Sequence, residues 1–319
     1  MKILLRFPVE DDRISQWKAH FPNVDFVLCQ GESIPPEHAD AVAIVGGWRL
    51  ERRMAESLPD LRWVQATFTG VEGFLEAGLA ERGIALTNFR GVAAPNIAEH
   101  VMATMLAFAR GLPELLRRQA RHEWRPYGQE PPTFELAGQR LGLIGMGEIS
   151  QQIAIRAKHG FGMAVWGLRR NADRQLPSCV DAVLPAHKLT ELLETCDHVV
   201  LAAALTEETR GMINSATLGM MKASAYIYNV GRGELIAQDA LVEALRNRVI
   251  AGAALDVTHP EPLPSDSPLW DMPNVMITAH TAGPTKHYWD RGYALFADNV
   301  ERFLDGRPLL NLVDQSLGY

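Results

Sequence analysis

Three side chains able to bind an anion or move a proton stand where predicted strands end. The stretch Tyr226-Ile227-Tyr228-Asn229-Val230-Gly231-Arg232-Gly233-Glu234 sets Arg232 between two glycines, Ala253 to Pro262 ends a strand with Asp256 and Glu261, and Thr278-Ala279-His280-Thr281-Ala282-Gly283 ends a third with His280. Open α/β sheets bind ligands at the carboxyl ends of their strands. A guanidinium fork holds a planar anion through two hydrogen bonds, an imidazole moves a proton near neutral pH, and a carboxylate beside it orients the ring and favours its charged form. Taken singly, each has an ordinary reading. A histidine near a strand end is usually structural, and the chain has ten, His259 and His287 among them. A lone Arg is usually a surface residue, and a Glu before Pro262 a turn carboxylate.

A second constellation precedes the first. Leu141-Gly142-Leu143-Ile144-Gly145-Met146-Gly147-Glu148-Ile149-Ser150 is an apolar strand running into G-x-G-x-x-S and then a helical stretch. Gly145 permits a tight turn, Gly147 lets backbone N–H groups approach a pyrophosphate, and the helix start supplies a positive dipole end, so Gly145, Met146, Gly147, Glu148 and Ile149 are candidate cofactor contacts. Ser150 replaces the third glycine, which predicts slight widening of the helix-to-sheet packing. The alternative is an ordinary glycine turn. The next strand ends Leu168-Arg169-Arg170-Asn171, where NAD-binding proteins place an acidic residue on the ribose 2′-hydroxyl. A carboxylate repels a 2′-phosphate and a guanidinium binds it, so Leu168, Arg169 and Arg170 predict a preference for NADP(H), with NAD(H) still possible. The plainer alternative is a pair of solvated loop arginines.

These side chains need a scaffold, and the pattern supplies two. Apolar runs at 3–7, 25–28, 41–45 and 63–65 predict strands of a first α/β layer. Pro95-Asn96 opens an apolar helix over 97–110, buried on most sides and read as the bridge between domains. Residues 117–136 are polar, carry Trp124, Pro126, Pro131 and Pro132, and break both periodicities, predicting an extended arm or loop of the kind that packs on a partner subunit. Strand runs at 141–144, 164–168, 198–202, 226–230, 251–255 and 275–278 alternate with helical stretches, and 288–304 predicts a helix returning toward the first layer. The expected fold is α/β, two Rossmann-like domains with doubly wound parallel sheets, the smaller one discontinuous. Its boundaries are read as 1–96 with 286–319 for a substrate domain and 97–285 for a dinucleotide-binding domain carrying the interdomain helix and arm.

At these positions the sequence resembles the D-isomer-specific 2-hydroxyacid dehydrogenase family, whose N-x-x-R-G, D-V-x-x-x-E-P and H-x-x-G patterns match in order and spacing. The likeness spans nearly the whole chain and includes Thr69-Gly70-Val71, Ala98-Glu99-His100 and Leu205-Thr206 through Thr209-Arg210. It implies that Arg232 grips a substrate carboxylate and 2-keto oxygen, that His280 is the acid, and that Glu261 orients His280. A protonated imidazole at an oxygen gaining charge both stabilises that charge and delivers the proton. The resemblance further implies Asp256 as acceptor for the nicotinamide carboxamide, with a turn-capping carboxylate as the alternative. Thr209, Val230, Gly231, Arg232, His280 and Gly283 become cofactor contacts by the same likeness. The backbone of Thr69, Gly70 and Val71 becomes a substrate-carboxylate nest, used together with Arg232 and His280.

The sequence also departs from the family. Ala202-Ala203-Ala204 stands where many members have a proline and a polar residue, removing any hydroxyl contact from Ala203. Thr258-His259 replaces a frequent Phe-Glu, and no role falls to His259. Tyr288 and Trp289 are candidate pocket walls, although aromatics at a helix start are more often core.

Composition fits a small-molecule enzyme. The 319 residues carry a net charge of −7 with no basic face for nucleic acid and no polybasic arm for a membrane. Cys29, Cys179 and Cys196 lack the spacing of a metal site or disulfide framework. The apolar start at 2–7 is too short for a secretion signal, and no regulatory module is expected beyond 319. The expectation is a cytoplasmic homodimer without metal that reduces a small 2-keto acid, of glyoxylate or hydroxypyruvate type, to a D-2-hydroxy acid with NADPH. The alternatives are an NAD-linked dehydrogenase of another 2-hydroxy acid and, from a different class, a dinucleotide-sensing corepressor.

Overall fold

The structure is a computed structural model that describes every residue except Glu32, Trp48, Tyr127, 171–176 and Tyr319. The chain divides into two compact units, Met1–Val92 with Thr285–Tyr319, and Ala93–Pro284.

The first unit holds five strands, β1 (Lys2–Leu5), β2 (Asp25–Leu28), β3 (Ala41–Val45), β4 (Trp63–Gln65) and β5 (Ala85–Thr87), in the order β2-β1-β3-β4-β5. All pairings are parallel. Such a sheet is covered on both faces and so reads as short continuous apolar runs: Ile3, Leu4, Leu5, Ile44, Val45, Trp63 and Val64 are fully buried. β5 was not among the strands expected from the sequence, because Ala85-Leu86-Thr87 is three residues long and has one large apolar side chain. The helix Lys286–Leu304 belongs to this unit and starts two residues before the expected 288. Tyr288 is buried in it and donates its hydroxyl to the Thr67 carbonyl at 2.5 Å, while Trp289 stacks on Phe7.

The second unit adds β6 (Arg140–Ile144), β7 (Ala164–Arg169), β8 (Ala182–Pro185), β9 (His198–Leu201), β10 (Tyr226–Asn229), β11 (Gly252–Leu255) and β12 (Val275–Ile277), in the order β12-β11-β10-β9-β6-β7-β8. Every pairing is again parallel. Strand side chains alternate between two cores: Val199, Leu201, Ile227, Ala253 and Leu255 face one, and Leu141, Leu143, Val200, Tyr228 and Ala254 the other. The order runs outward on both sides of the β6–β9 pair, so the crevice at the topological switch point opens beside the carboxyl ends of β6 and β9. β8 escaped the sequence reading because it is a half-buried edge strand ending in proline.

The helix expected over 97–110 spans Ala94–Ala109. It starts early because Pro95 sits in the first turn, where a missing N–H leaves no intrahelical bond unmade. Its buried stripe is Ala94, Ala98, Val101, Met102, Met105, Phe108 and Ala109. The arm expected over 117–136 needs a correction, since its first residues complete the helix Leu112–Ala120. Glu114 pairs with Arg117 at 3.2 Å and Arg118 at 3.0 Å, so charge pairs one turn apart support this helix, none of whose residues is buried and whose Leu112, Leu115 and Leu116 stay exposed. The described residues of 121–136 carry neither helix nor strand. Among the described residues no helix is long and apolar enough to cross a membrane.

Candidate active site

The glycine turn after β6 is shaped by two different demands. Gly145 has φ +89°, and a Cβ there would lie 2.8 Å from the Ala202 carbonyl and the Ala203 backbone, so glycine is required by both conformation and space. Ser150 is fully buried and its hydroxyl donates to the Gly145 carbonyl at 2.5 Å, tying the first turn of the helix Glu148–Ile155 to the loop. At Gly147 a Cβ would meet no atom of the chain within 4 Å, so nothing inside the protein demands glycine there. The open space lies at the N-terminal end of that helix, where N–H groups without intrahelical partners bind anions. A dinucleotide pyrophosphate fits this turn. Met146 folds over Gly167 of β7, Glu148 is exposed and Ile149 half-buried.

Leu168 is buried in β7, Arg169 ends that strand, and Arg170 follows, its guanidinium 3.2 Å from the Glu208 carboxylate. Asn171, the last residue of the expected 2′-phosphate loop, lies outside the described residues. Thr209 turns its hydroxyl inward, donating to the Ala204 carbonyl and accepting the Thr206 N–H, both at 2.8 Å, and so closes its own turn.

The loops after β10, β11 and β12 carry the charged trio. Asn229 is buried and brackets the Arg232 turn: its side-chain oxygen accepts the Gly231 N–H at 3.1 Å and its amide donates to the Arg232 carbonyl at 2.9 Å. Val230 is half-buried and Gly231 buried. Arg232 donates to the Gly231 carbonyl at 2.8 Å. A Cβ on Gly233 would overlap the Thr258 carbonyl, so the Arg232 loop lies directly against the loop that bears Glu261. Glu261 accepts the Thr258 N–H at 3.0 Å with one oxygen and faces His280 Nδ1 at 3.0 Å with the other. His259 points its Nδ1 toward Glu234, 3.6 Å away.

His280 has φ +54°, a left-handed conformation that few non-glycine residues adopt and that His122, Arg248 and Asn311 share with it. Its N–H donates to the Asp256 and Thr278 carbonyls, each at 2.9 Å. The Asp256 side chain, 6% exposed, accepts the Thr278 hydroxyl at 2.6 Å, the Thr281 N–H at 3.0 Å and the Ala282 N–H at 3.2 Å. It therefore braces the His280 loop from both flanks. Gly283 is held by Asn96, whose amide donates to its carbonyl at 2.6 Å. Asn229 and Thr278 are the positioning residues that sequence reasoning missed. An Asn just before a Gly-Arg-Gly turn was the available signal for the first, since such side chains bracket turns.

The Thr69-Gly70-Val71 loop belongs to the other unit, between β4 and the short helix Glu72–Leu75. Asn88 donates to the Thr69 carbonyl at 2.8 Å, and Val71 is buried.

Residues 102–282, more than half of the chain, match the family profile described as D-isomer specific 2-hydroxyacid dehydrogenase, NAD binding domain. The chain belongs to the D-isomer-specific 2-hydroxyacid dehydrogenase family. This 2-hydroxyacid dehydrogenase family member is 31% identical over 319 residues to glyoxylate/hydroxypyruvate reductase B of Klebsiella pneumoniae subsp. pneumoniae, covering 98% of each chain. A solved family member from Aeromonas salmonicida subsp. salmonicida is 31% identical, with a TM-score of 0.83 over 98% of this chain and 99% of that one. Another from Xanthobacter autotrophicus, solved in complex with NADPH and MES, is 27% identical, with a TM-score of 0.83 over 100% of this chain and 99% of that one. The family's nucleotide-binding portion thus covers the loops that carry Gly145, Arg232, Glu261 and His280.

Proposed function

We propose that this 2-hydroxyacid dehydrogenase family member reduces a small 2-keto acid of glyoxylate or hydroxypyruvate type to the D-2-hydroxy acid, with NADPH as reductant. The observation that carries the reading is the 3.0 Å His280–Glu261 pair, set beside the Arg232 loop on the strand ends that follow a dinucleotide turn. Glu261 accepts the Nδ1 proton, which leaves Nε2 of a protonated His280 as the acid. Arg232 holds the substrate carboxylate and draws the keto oxygen toward its fork, a bidentate task that Lys cannot reproduce. When bound, the reduced nicotinamide supplies the hydride that the keto carbon accepts. His280 delivers its Nε2 proton to the oxygen as negative charge builds there, and Glu261 stabilises the imidazolium until that transfer. Gly145, Met146, Gly147, Glu148, Ile149, Leu168, Thr209, Val230, Gly231, Asp256 and Gly283 bound the cofactor site in this reading.

Arg169 and Arg170 at the end of β7 support NADPH, as does the NADPH bound to the Xanthobacter relative. The first unit serves as substrate domain through Thr69, Gly70 and Val71, and the second as dinucleotide-binding domain. Leu116 and Trp124, 61% and 96% exposed, support a homodimer built on residues 112–136. The protein works in the cytoplasm, its three buried cysteines being free thiols. One observation favours a second reading: the Glu208 carboxylate pairs with Arg170 and offsets its positive charge, which suits NADH. Measuring kcat/KM for both cofactors with one keto acid separates the two. NADPH ahead by tenfold or more supports the proposal, and NADH ahead refutes its cofactor half.

A further inference from the structure

His100 has no place in the reaction as proposed, yet its ring reaches the loop that presents His280. Counting protons fixes what it does there. Thr278 Oγ1 lies 2.6 Å from Asp256 Oδ1 and 3.2 Å from His100 Nε2. Asp256 Oδ1 already accepts the backbone N–H groups of Thr281 and Ala282, so it acts as an acceptor toward Thr278 as well. The threonine hydroxyl has one proton, and that proton goes to Asp256. Its oxygen can then only accept from His100, which must carry a proton on Nε2. The three groups form a one-way series of donors, His100 to Thr278 to Asp256, ending on a carboxylate that is 6% exposed.

The series matters because of what Asp256 holds. Its carboxylate binds Thr278 on one side of His280 and Thr281 and Ala282 on the other, while its carbonyl accepts the His280 N–H at 2.9 Å. His280 is kept at φ +54° by these bonds. A Thr278 hydroxyl without a donor of its own keeps only its bond to Asp256, and the brace on one flank of His280 weakens. Hydrogen bonds in series also polarise one another, so the His100 N–H strengthens the Thr278–Asp256 bond itself.

We propose that His100 is a positioning residue for His280, acting through Thr278 and Asp256. The inference rests on His280 being the proton donor of the proposed reaction. It extends the site onto the helix Ala94–Ala109, which carries His100 in its second turn beside buried Val101.

The test replaces His100 by Leu, which removes the donor, and by Gln, whose amide N–H can restore it. NADPH-dependent turnover of hydroxypyruvate and the thermal midpoint are measured for each. His100→Leu should lower kcat about tenfold, the rate equivalent of one lost hydrogen bond, with little change in the KM for NADPH or in the midpoint. His100→Gln should stay within about threefold of the parent. Equal losses in the two variants, or parent-like kcat in His100→Leu, would overturn the proposal. Thr278→Val covers the case in which His100→Leu folds poorly: it should show the same loss, and adding His100→Gln to it should cost nothing more, because the path is already cut. A further loss in that double variant counts against the series. His280→Gln run alongside tells the two readings apart. A dead His280→Gln with an unaffected His100→Leu sinks only the positioning role, whereas an active His280→Gln sinks the proton-donor reading beneath it.

Discussion

At His280 a backbone that costs about 1–3 kcal/mol for a non-glycine residue is held in place by hydrogen bonds to Asp256. The side chain pairs with Glu261, and Glu261 is itself fixed by the Thr258 N–H. Replacing His280 with Gln should therefore cut kcat by about 10²-fold or more while leaving the affinity for NADPH nearly unchanged, as titrated by quenching of protein fluorescence. Loss of affinity in step with kcat would mean that the residue holds the cofactor instead. The placement of Arg232, Glu261 and His280 on strand-end loops was legible in the sequence because charged residues beside glycines at strand ends form an ordered pattern. The brace beneath them was not. Thr278 and Asp256 are separated by 22 positions, and His100 and Thr278 by 178, so their contacts exist only once β11, β12 and the helix are packed together.

Among the elements, the β6 turn and its helix make the sharpest claim. Gly147 has φ −84° and open space at its Cβ position, so alanine is compatible with the folded chain. Gly147→Ala should leave the thermal midpoint within about 1 °C while raising the KM for NADPH about tenfold or more, because the new methyl group stands where backbone must approach pyrophosphate. A falling midpoint with unchanged KM would assign the glycine to folding. Long apolar strands such as β3 and β6 were readable from their continuous burial on both faces. β5 and β8 were not, being short or half-exposed, and neither was the helix Leu112–Ala120, none of whose residues is buried. Ser150 illustrates the same limit: the sequence marked a small residue in a glycine's place, whereas its hydrogen bond to the Gly145 carbonyl depends on how the turn closes.

For the molecule as a whole, one contribution to acid stability comes from a buried histidine in β9. His198 is fully buried in β9, its Nε2 2.6 Å from Gln139 Oε1 and its Nδ1 3.0 Å from the Tyr228 hydroxyl. Burial pushes its pKa down from 6.5 to about 4, with the nearby Asp197 charge opposing that shift. Between those values the unfolded chain holds more protons than the folded one, so stability rises with pH in this window and falls as pH drops from about 6.5 toward 4. The loss is at most about 3 kcal/mol. Urea midpoints across that range should fall less steeply for His198→Gln than for the parent, and parallel slopes would remove His198 as the cause. The central claim, hydride transfer to a 2-keto acid, is tested most directly by following the nicotinamide absorbance while the purified protein is offered NADPH with glyoxylate, hydroxypyruvate and pyruvate. The geometry at Arg232, Glu261 and His280 predicts keto-acid-dependent oxidation of NADPH with a D-2-hydroxy acid as product; NADPH that binds but is not consumed with any of the three would contradict it.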